Sequence, residues 1–108
     1  MRRGEIWTAV GGVYATKPRP VVIVQDDRFD ATDSVTVCPM STTLVDAPLL
    51  RILVEPDTKN GLEQPSHIMI DKVTTTRRAG VRNRLGVLAH EEMVRVEQSL
   101  LVFLGIAG

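Results

Sequence analysis

The end of the chain carries a different hydrophobic pattern from the rest, and this contrast restricts the fold more than any other feature of the sequence. Between residues 91 and 104, apolar side chains recur at three- and four-residue steps, which is the period of an amphipathic helix. Glu91 and Glu92 belong to the first turn, where the helix dipole favours negative charge. Gly105 follows, where helices often end. The sequence therefore predicts one C-terminal helix.

Short apolar runs separated by turn signals fill the rest of the chain. Such runs are typical of strands, and Asn60-Gly61 is a strong turn signal. Together with the helix they predict a mainly β fold, a compact barrel with an appended C-terminal α-helix. The predicted strands lie at 5–10, 21–24, 35–40, 50–54, 67–71 and 84–88.

The size and charge of the chain exclude several classes of protein. Its 108 residues fit a single domain spanning 1–108. Lys plus Arg and Asp plus Glu both number 13, and this zero net charge argues against a protein that coats nucleic acid by bulk electrostatics. The sequence shows neither a membrane-spanning apolar run nor a secretory signal. With one cysteine, Cys38, in an apolar stretch, we expect a cytoplasmic protein with no membrane association.

The stretch KPRPVVIVQDD, residues 17–27, places an arginine at the start of a predicted buried strand. Arg19 stands between Pro18 and Pro20. Each proline fixes its own φ, and Pro20 also directs Arg19 toward the extended region. A cation held in this way is suited to meeting an anion.

A second group of arginines lies in the segment RRAGVRNR, with no acidic residue among them. One interpretation is a solvated loop, and the other is a local grip on a few phosphates. Both interpretations stay open at this point. The group consists of Arg77, Arg78, Arg82 and Arg84.

Four blocks of the sequence resemble the MazF/PemK (Kid) toxins, the sequence-specific endoribonucleases of type II toxin–antitoxin pairs. They occur in the order of the family and together reach from one end of the chain to the other. The blocks are RRGEIW near the N-terminus, RPVVIVQDD from Arg19, the looser VCPMST from Val37, and RLGVLAHEEMVRVEQSLLVFLGI from Arg84.

This resemblance implies a fold, an activity and two partners. The fold is a small SH3-like barrel closed by a C-terminal helix, in a homodimer. The activity is cleavage of single-stranded RNA, such as mRNA, without a metal ion or other cofactor. The ribose 2′-hydroxyl attacks the adjacent phosphate and leaves 2′,3′-cyclic phosphate and 5′-hydroxyl ends. The protein partner is a MazE-like antitoxin whose acidic C-terminal tail covers the active site.

The resemblance also implies the catalytic residues. Arg19 matches the catalytic arginine of the family, and the planar fork of donors in a guanidinium suits phosphate oxygens. Ser41 stands where the family usually has a threonine that completes a phosphate cradle, and Thr42 is adjacent. Asp71 matches an acidic position implicated in proton transfer or base recognition in some members.

The chain departs from the family pattern around this acid, because Met69 stands where some members carry an arginine and Thr74 stands where many do. Arginines farther along the chain are candidates to replace that charge. The loops are expected to read the RNA. The candidate substrate-binding residues are Tyr14, Lys17, Gln25, Arg77 and Arg78.

The two histidines of the chain have separate interpretations. His67 opens the predicted fifth strand, four residues from Asp71, and an even spacing places both on one strand face. His67 is therefore either a proton-transfer group or a polar residue at a strand end, and His90 reads as a helix-start residue. Neither histidine has the ligand spacing of a metal site with Cys38, so no metal is expected.

Two other functions fit the same resemblance. The CcdB toxins share this architecture without cutting RNA, so the alternative is a non-cleaving toxin that binds a protein target such as DNA gyrase. The missing arginines near Asp71 favour that alternative. A third interpretation is an inactive family member that is retained for binding its partner.

Overall fold

The computed structural model describes residues 1–10 and 17–107, and it contains seven strands followed by one helix in those ranges. Short 3₁₀ turns occupy Asp27–Phe29, Ile70–Lys72 and Arg78–Gly80. The strands are β1 Glu5–Ala9, β2 Arg19–Ile23, β3 Ser34–Ser41, β4 Arg51–Val54, β5 Ser66–Met69, β6 Thr74–Arg77 and β7 Val81–Val87, and the helix is α1 His90–Phe103.

The strands form one antiparallel sheet in the order β4-β5-β3-β2-β1-β7, and β6 pairs with β3 beside this path. The predicted mainly β fold with a C-terminal helix is confirmed. The prediction of a closed barrel is wrong in one respect, because the pairing path of the described residues ends at β4 and β7 without joining them.

Two apolar clusters lie on opposite faces of the sheet because side chains alternate along each strand. The first cluster lies between the sheet and α1, with Ile6, Val22 and Ile68 meeting Met93 and Val96. The second cluster lies on the other face and consists of Ala9, Val21, Ile23, Val35, Val37 and Val81. Within β2, Val21, Val22 and Ile23 are buried on both faces of the sheet, as their continuous apolar pattern predicted.

The C-terminal helix matches its prediction within one residue at each end. Its first turn is closed by Glu92, whose carboxylate accepts a hydrogen bond from the Ala89 N–H at 2.9 Å. This is the half of a capping box that does not need a polar side chain at the N-cap. Gly105 has a φ of 73°, which suits the residue that ends a helix. No helix of the described residues is both long enough and apolar enough to cross a membrane.

The region after β5 differs most from prediction. The strand ends at Met69 and the chain turns through the 3₁₀ turn that holds Asp71, so the prediction that His67 and Asp71 share a strand face is wrong. Strand β6 lies in a segment predicted as loop. Its Thr-Thr-Thr run has no apolar alternation, and its place comes from pairing with the first half of β3. One edge of β3 is thus shared by two strands. Its first half pairs with β6, and its last two residues, Met40 and Ser41, pair with β5.

Candidate active site at the ends of three strands

Strand register brings three polar residues together at one edge of the sheet. In the β2–β3 pair Val21 lies opposite Pro39, and continuing this register by two residues places Arg19 opposite Ser41. On the other side of β3, Ser41 lies opposite His67 of β5. Arg19, Ser41 and His67 therefore follow one another across three neighbouring strands.

These three side chains share one face of the sheet. Arg19 alternates in phase with Val21 and Ile23, which belong to the second cluster, and Ser41 alternates in phase with Val37 of that cluster. His67 is out of phase with Ile68, which faces the first cluster. Neighbouring strands are about 4.8 Å apart, so Arg19 and His67 start about 10 Å apart, and a long guanidinium side chain can reach over the serine between them.

The turn after β3 holds two of the three side chains through its backbone. The Thr43 N–H donates to Oγ of Ser41 at 3.0 Å, and the Val45 N–H donates to Nδ1 of His67 at 3.3 Å. Both donor N–H groups belong to the same short turn, so this turn holds the serine hydroxyl and the imidazole in fixed positions relative to each other. The hydroxyl hydrogen of Ser41 has no acceptor among the described residues and can donate to a ligand.

The Arg19 side chain is exposed at the entry to β2. Within residues 1–10 and 17–107, no carboxylate forms a salt bridge with it. The next residue, Pro20, is fixed opposite Thr8 of β1, so the base of the Arg19 side chain is anchored while its guanidinium faces solvent. The predicted anion-binding residue is therefore open to a ligand in the described part of the molecule.

A groove of about 220 Å³ opens beside this row. Pro20 and Thr42, the residues that follow Arg19 and Ser41, line it together with Gly61, Leu62, Glu63, Gln64, Ser66 and Leu85. Thr42 thus faces the groove, whereas Arg19, Ser41 and His67 do not line it.

One wall of the groove is fixed by backbone contact with β7. The Val87 N–H donates to the Lys59 carbonyl at 3.0 Å. A Cβ atom on Gly61 would overlap the Leu85 carbonyl, and one on Gly86 would overlap the Lys59 carbonyl. Gly61 also has a φ of 69°, where glycine is favoured. These two glycines allow the loop to lie directly on the strand.

Asp71 lies outside the row and is committed to another residue. Its two carboxylate oxygens accept from Nε and Nη2 of Arg51, both at 3.1 Å. Partial burial acts to raise the pKa of Asp71, but the hydrogen bonds and the charge of Arg51 outweigh it, so the pKa lies below its usual value. Such a carboxylate fastens β4 to the turn after β5, and it is a poor proton acceptor at neutral pH.

Three of the predicted substrate-binding residues lie at the opposite end of β3. The Gln25 Oε1 accepts from the Thr36 N–H at 3.0 Å. Arg77 pairs with Ser34 in the β3–β6 ladder, and the Arg78 Nε donates to the Thr32 carbonyl at 2.8 Å. Strand β3 spans eight residues, or about 23 Å, so the structure does not bring these residues to Arg19.

The two remaining predicted substrate-binding residues belong to the segment before β2. Lys17 is exposed two residues before Arg19 and adds positive charge beside it. Tyr14 lies outside the described residues. Of the five predicted substrate-binding residues, the structure therefore places Lys17 near the row.

The histidines and the cysteine differ in their surroundings. Burial raises the pKa of the Cys38 thiol to about 12, so this thiol is not poised for nucleophilic or metal chemistry. His90 is exposed at the start of α1. No group of three histidine, cysteine or acidic side chains that could hold a metal occurs in the described ranges.

His67 is the residue of the row that the sequence did not distinguish from a polar strand end. A signal for it exists in the sequence, since β3 ends in polar residues and His67 lies near the start of β5, a partner strand of β3. Recognising that signal requires the β3–β5 register, which sequence alone does not supply.

Known families and structures match this chain over nearly all of its length. The family model described as a PemK-like, MazF-like toxin of type II toxin–antitoxin systems matches residues 2–104. A protein of Mycolicibacterium smegmatis with the name "Probable endoribonuclease MazF" is 60% identical over 109 residues, which cover 100% of both chains.

Solved structures with this fold include two from mycobacteria. The Mycobacterium tuberculosis toxin MazF-mt6 is 24% identical, with a TM-score of 0.79 over 94% of this chain and 96% of that one. A mycobacterial endoribonuclease in complex with its cognate antitoxin is 20% identical, with a TM-score of 0.80 over 100% of this chain and 98% of the other.

Proposed function

The chain belongs to the family of PemK-like, MazF-like toxins of type II toxin–antitoxin systems and is an endoribonuclease, and from this premise we propose how it cuts RNA. The substrate is single-stranded RNA such as mRNA, cut at specific sequences without a metal ion. The ribose 2′-hydroxyl attacks the adjacent phosphate, and the products carry 2′,3′-cyclic phosphate and 5′-hydroxyl ends. The observation that carries this proposal is the row of Arg19 and Ser41 at the ends of adjacent strands.

The attack places extra negative charge on the phosphate oxygens, and the row supplies donors for that charge. The Arg19 guanidinium offers a planar fork of N–H groups that matches two phosphate oxygens. The Ser41 hydroxyl, held by the Thr43 N–H, offers a third hydrogen bond from the neighbouring strand. Donors fixed before the reaction stabilise a developing charge without reorganising, which is an effective form of electrostatic catalysis.

The residues around the row have supporting roles. Thr42 lines the groove beside the scissile phosphate, where it contacts the neighbouring nucleotide. Lys17 adds long-range attraction for the RNA backbone. Asp71 has a positioning role, because its carboxylate is held by Arg51 and the register places His67 beside Ser41 instead.

The second partner is a cognate antitoxin, as in the solved complex that shares this fold. We place its acidic C-terminal tail over Arg19 and the adjoining groove, where carboxylates replace the charge of phosphates. A synthetic peptide of that tail should stop cleavage when added in excess. Unchanged cleavage would place the antitoxin elsewhere.

A large apolar surface supports a homodimer. Leu49 is 73% exposed and Ile106 is 70% exposed. Between the two segments that carry them lies a cavity of about 600 Å³, lined by Ala47, Pro48, Leu49, Leu50, Val102 and Phe103. Exposed apolar patches of this kind mark protein interfaces, and the second copy of the chain is the partner that we assign to this one. Sedimentation velocity of the purified chain should show a dimer. A monomer at all concentrations would contradict the homodimer assignment.

The test of the nuclease function uses long single-stranded RNA in EDTA, with fragment ends mapped by primer extension. The wild-type chain should give discrete fragments ending in cyclic phosphate. Arg19→Ala should lower the rate by about 100- to 1000-fold, the usual effect of removing one charge-stabilising donor. Arg95→Ala is the matched control, because Arg95 is an exposed arginine on α1.

Two results would overturn the proposal. Equal cutting by wild type and Arg19→Ala removes Arg19 from the site. Intact RNA with the wild-type chain, together with DNA breaks in growing cells, favours the non-cleaving CcdB-like function instead.

A further inference from the structure

We propose that His67 is a further catalytic residue, which acts as a hydrogen-bond donor to the scissile phosphate through its Nε2–H. This inference rests on the proposed nuclease function and extends it to a residue outside the catalytic set that the sequence predicts. The role is donation to a charged oxygen, and it does not require His67 to take a proton from the 2′-hydroxyl.

The hydrogen bond from the turn after β3 fixes the tautomer of His67. The Val45 N–H donates to Nδ1 at 3.3 Å, so Nδ1 must present its lone pair. In a neutral imidazole one nitrogen carries the hydrogen and the other accepts. The hydrogen therefore resides on Nε2, the nitrogen at the outer end of the ring. A hydrogen on Nδ1 would point at the Val45 N–H, which disfavours the other tautomer.

The same turn also donates a backbone hydrogen bond to the side chain of Ser41. Its Oγ accepts from the Thr43 N–H at 3.0 Å, and its hydroxyl hydrogen is left to donate. Two backbone N–H groups, two residues apart, thus occupy the acceptors of two neighbouring side chains. The result is that both side chains present hydrogens outward, which is the property needed for binding an anion.

The positions of the three residues allow them to act on one phosphate. Ser41 and His67 are direct partners across the β3–β5 ladder, so their Cβ atoms are about 5 Å apart. Arg19 lies on the other side of Ser41 by the continued β2–β3 register. A phosphate seated over Ser41 would then meet the guanidinium from one side and Nε2–H from the other.

The state of Asp71 strengthens this assignment. The family resemblance implies charge near that acid, but here the carboxylate is held by both donor atoms of Arg51. Met69, which stands two residues before it, is buried and brings no charge. The hydrogen-bond donors that arginines in place of Met69 and Thr74 would supply near Asp71 are absent, and the Nε2–H of His67 supplies a donor instead.

The first experiment compares His67→Gln with His67→Ala in the single-stranded RNA assay. The glutamine amide can place an N–H near the position of Nε2, whereas alanine removes the donor. We expect His67→Ala to lower kcat by about 100-fold with little change in KM, and His67→Gln to stay within about tenfold of wild type. His90→Gln, which changes the exposed histidine of α1, is the control and should cut like wild type.

Each other outcome of this comparison overturns the proposal. Neither a glutamine amide nor an alanine methyl can act as a general base. Equal losses of cleavage rate in His67→Gln and His67→Ala, together with loss of the acid limb of the pH–rate profile, would therefore make His67 a general base. A loss below threefold in His67→Ala would make it structural only. Thermal unfolding of each variant, compared with wild type, shows whether a loss of activity is a loss of fold.

The second experiment reads the tautomer without any cleavage. Long-range ¹H–¹⁵N correlation spectra of the uniformly ¹⁵N-labelled full chain at pH 7.5 should show the His67 hydrogen on Nε2. A hydrogen on Nδ1 would overturn the inference even if the chain cuts RNA. Adding an RNA whose scissile ribose is 2′-deoxy, which cannot be cut, should shift the Nε2–H signal, and no shift on saturation would also contradict the proposal. If the wild type fails to cut RNA, the nuclease function fails separately from the tautomer result.

Discussion

The two ends of β3 carry similar polar residues that are used in opposite ways. At the Ser34 end, the Gln25 amide donates to the Phe29 carbonyl at 2.7 Å and to the Thr32 hydroxyl at 3.1 Å, while its oxygen accepts from Thr36. At the Ser41 end, backbone N–H groups donate to Ser41 and His67, and within residues 1–10 and 17–107 the hydrogens of these two side chains have no acceptor. A functional polar group is thus distinguished by the hydrogen-bonding capacity that the fold leaves unused, and residue type alone does not reveal this.

The reason for the difference lies in the connections at each end. A long loop between β2 and β3 needs partners for its backbone groups, and Gln25 and Arg78 supply them. The turn between β3 and β4 instead uses its own N–H groups as donors toward side chains. At the Ser34 end, side chains hydrogen-bond to the loop backbone and fix it. At the Ser41 end, backbone N–H groups hydrogen-bond to side chains and fix them.

The largest effect that tests this comparison comes from the two serines that bound β3. Ser41→Ala should lower the RNA cleavage rate by about 100-fold, because one fixed donor to the phosphate is lost. Ser34→Ala, at the other end of the same strand, should leave the rate unchanged. Single-turnover cleavage in EDTA measures both. Equal rates for the two variants would show that the Ser41 end has no special role.

A smaller effect, on stability and not on catalysis, is expected at the Ser34 end. Gln25→Ala removes three hydrogen bonds, two to backbone groups and one to the Thr32 hydroxyl, so the free energy of unfolding should fall by about 2 kcal/mol. Urea unfolding measures this loss, and Gln98→Ala on the exposed side of α1 is the control. A variant of normal stability that cuts RNA slowly would instead return Gln25 to the substrate-binding set.

The smallest effect concerns Asp71, which belongs to neither end. Because its pKa is lowered in the folded chain, its ion pair with Arg51 stabilises the fold above the usual aspartate pKa of about 3.9 and loses that contribution as pH falls through the folded value. Asp71→Asn should therefore lower the free energy of unfolding by about 1 kcal/mol at pH 7, and the gap to wild type should shrink below about pH 4. Urea unfolding from pH 3 to pH 7 measures it.

The RNA cleavage rate of the same variant separates positioning from proton transfer. Asp71→Asn should stay within about threefold of wild type, whereas loss of a general base costs about 100-fold or more. Asp46→Asn, at an exposed aspartate of the turn after β3, is the control for both measurements. A 100-fold loss in Asp71→Asn would restore the proton-transfer role that the family resemblance implies.

Local patterns predicted the elements whose signals lie in their own residues. The apolar run of β2 and the periodicity of α1 both correspond to buried faces in the structure. Arg19 lies at the start of β2, as the proline-flanked stretch predicted, and its catalytic role stays a prediction. In each case the information is within a few residues along the chain.

The features that depend on pairing could not be predicted in this way. Strand β6 exists because β3 has a free edge beside Val35 and Val37, and its threonines carry no strand signal of their own beyond β-branching at Cβ. The approach of His67 to Ser41 depends on a register between strands 26 residues apart, since 67 minus 41 is 26. The hydrogen bonds by which Gln25 holds the β2–β3 loop likewise depend on the position of Thr36 in the folded chain.

The contact of Gly61 and Gly86 has a consequence for how cutting preferences can diverge among relatives of this chain. The path of the groove wall is set by main chain against main chain, so it does not depend on the identity of the side chains that follow it. Glu63 and Gln64 are exposed on that wall and carry no packing duty that would restrict their replacement. Mutational drift can therefore change the side chains on this wall, which would face the proposed RNA substrate, while the main-chain path beneath them stays constant.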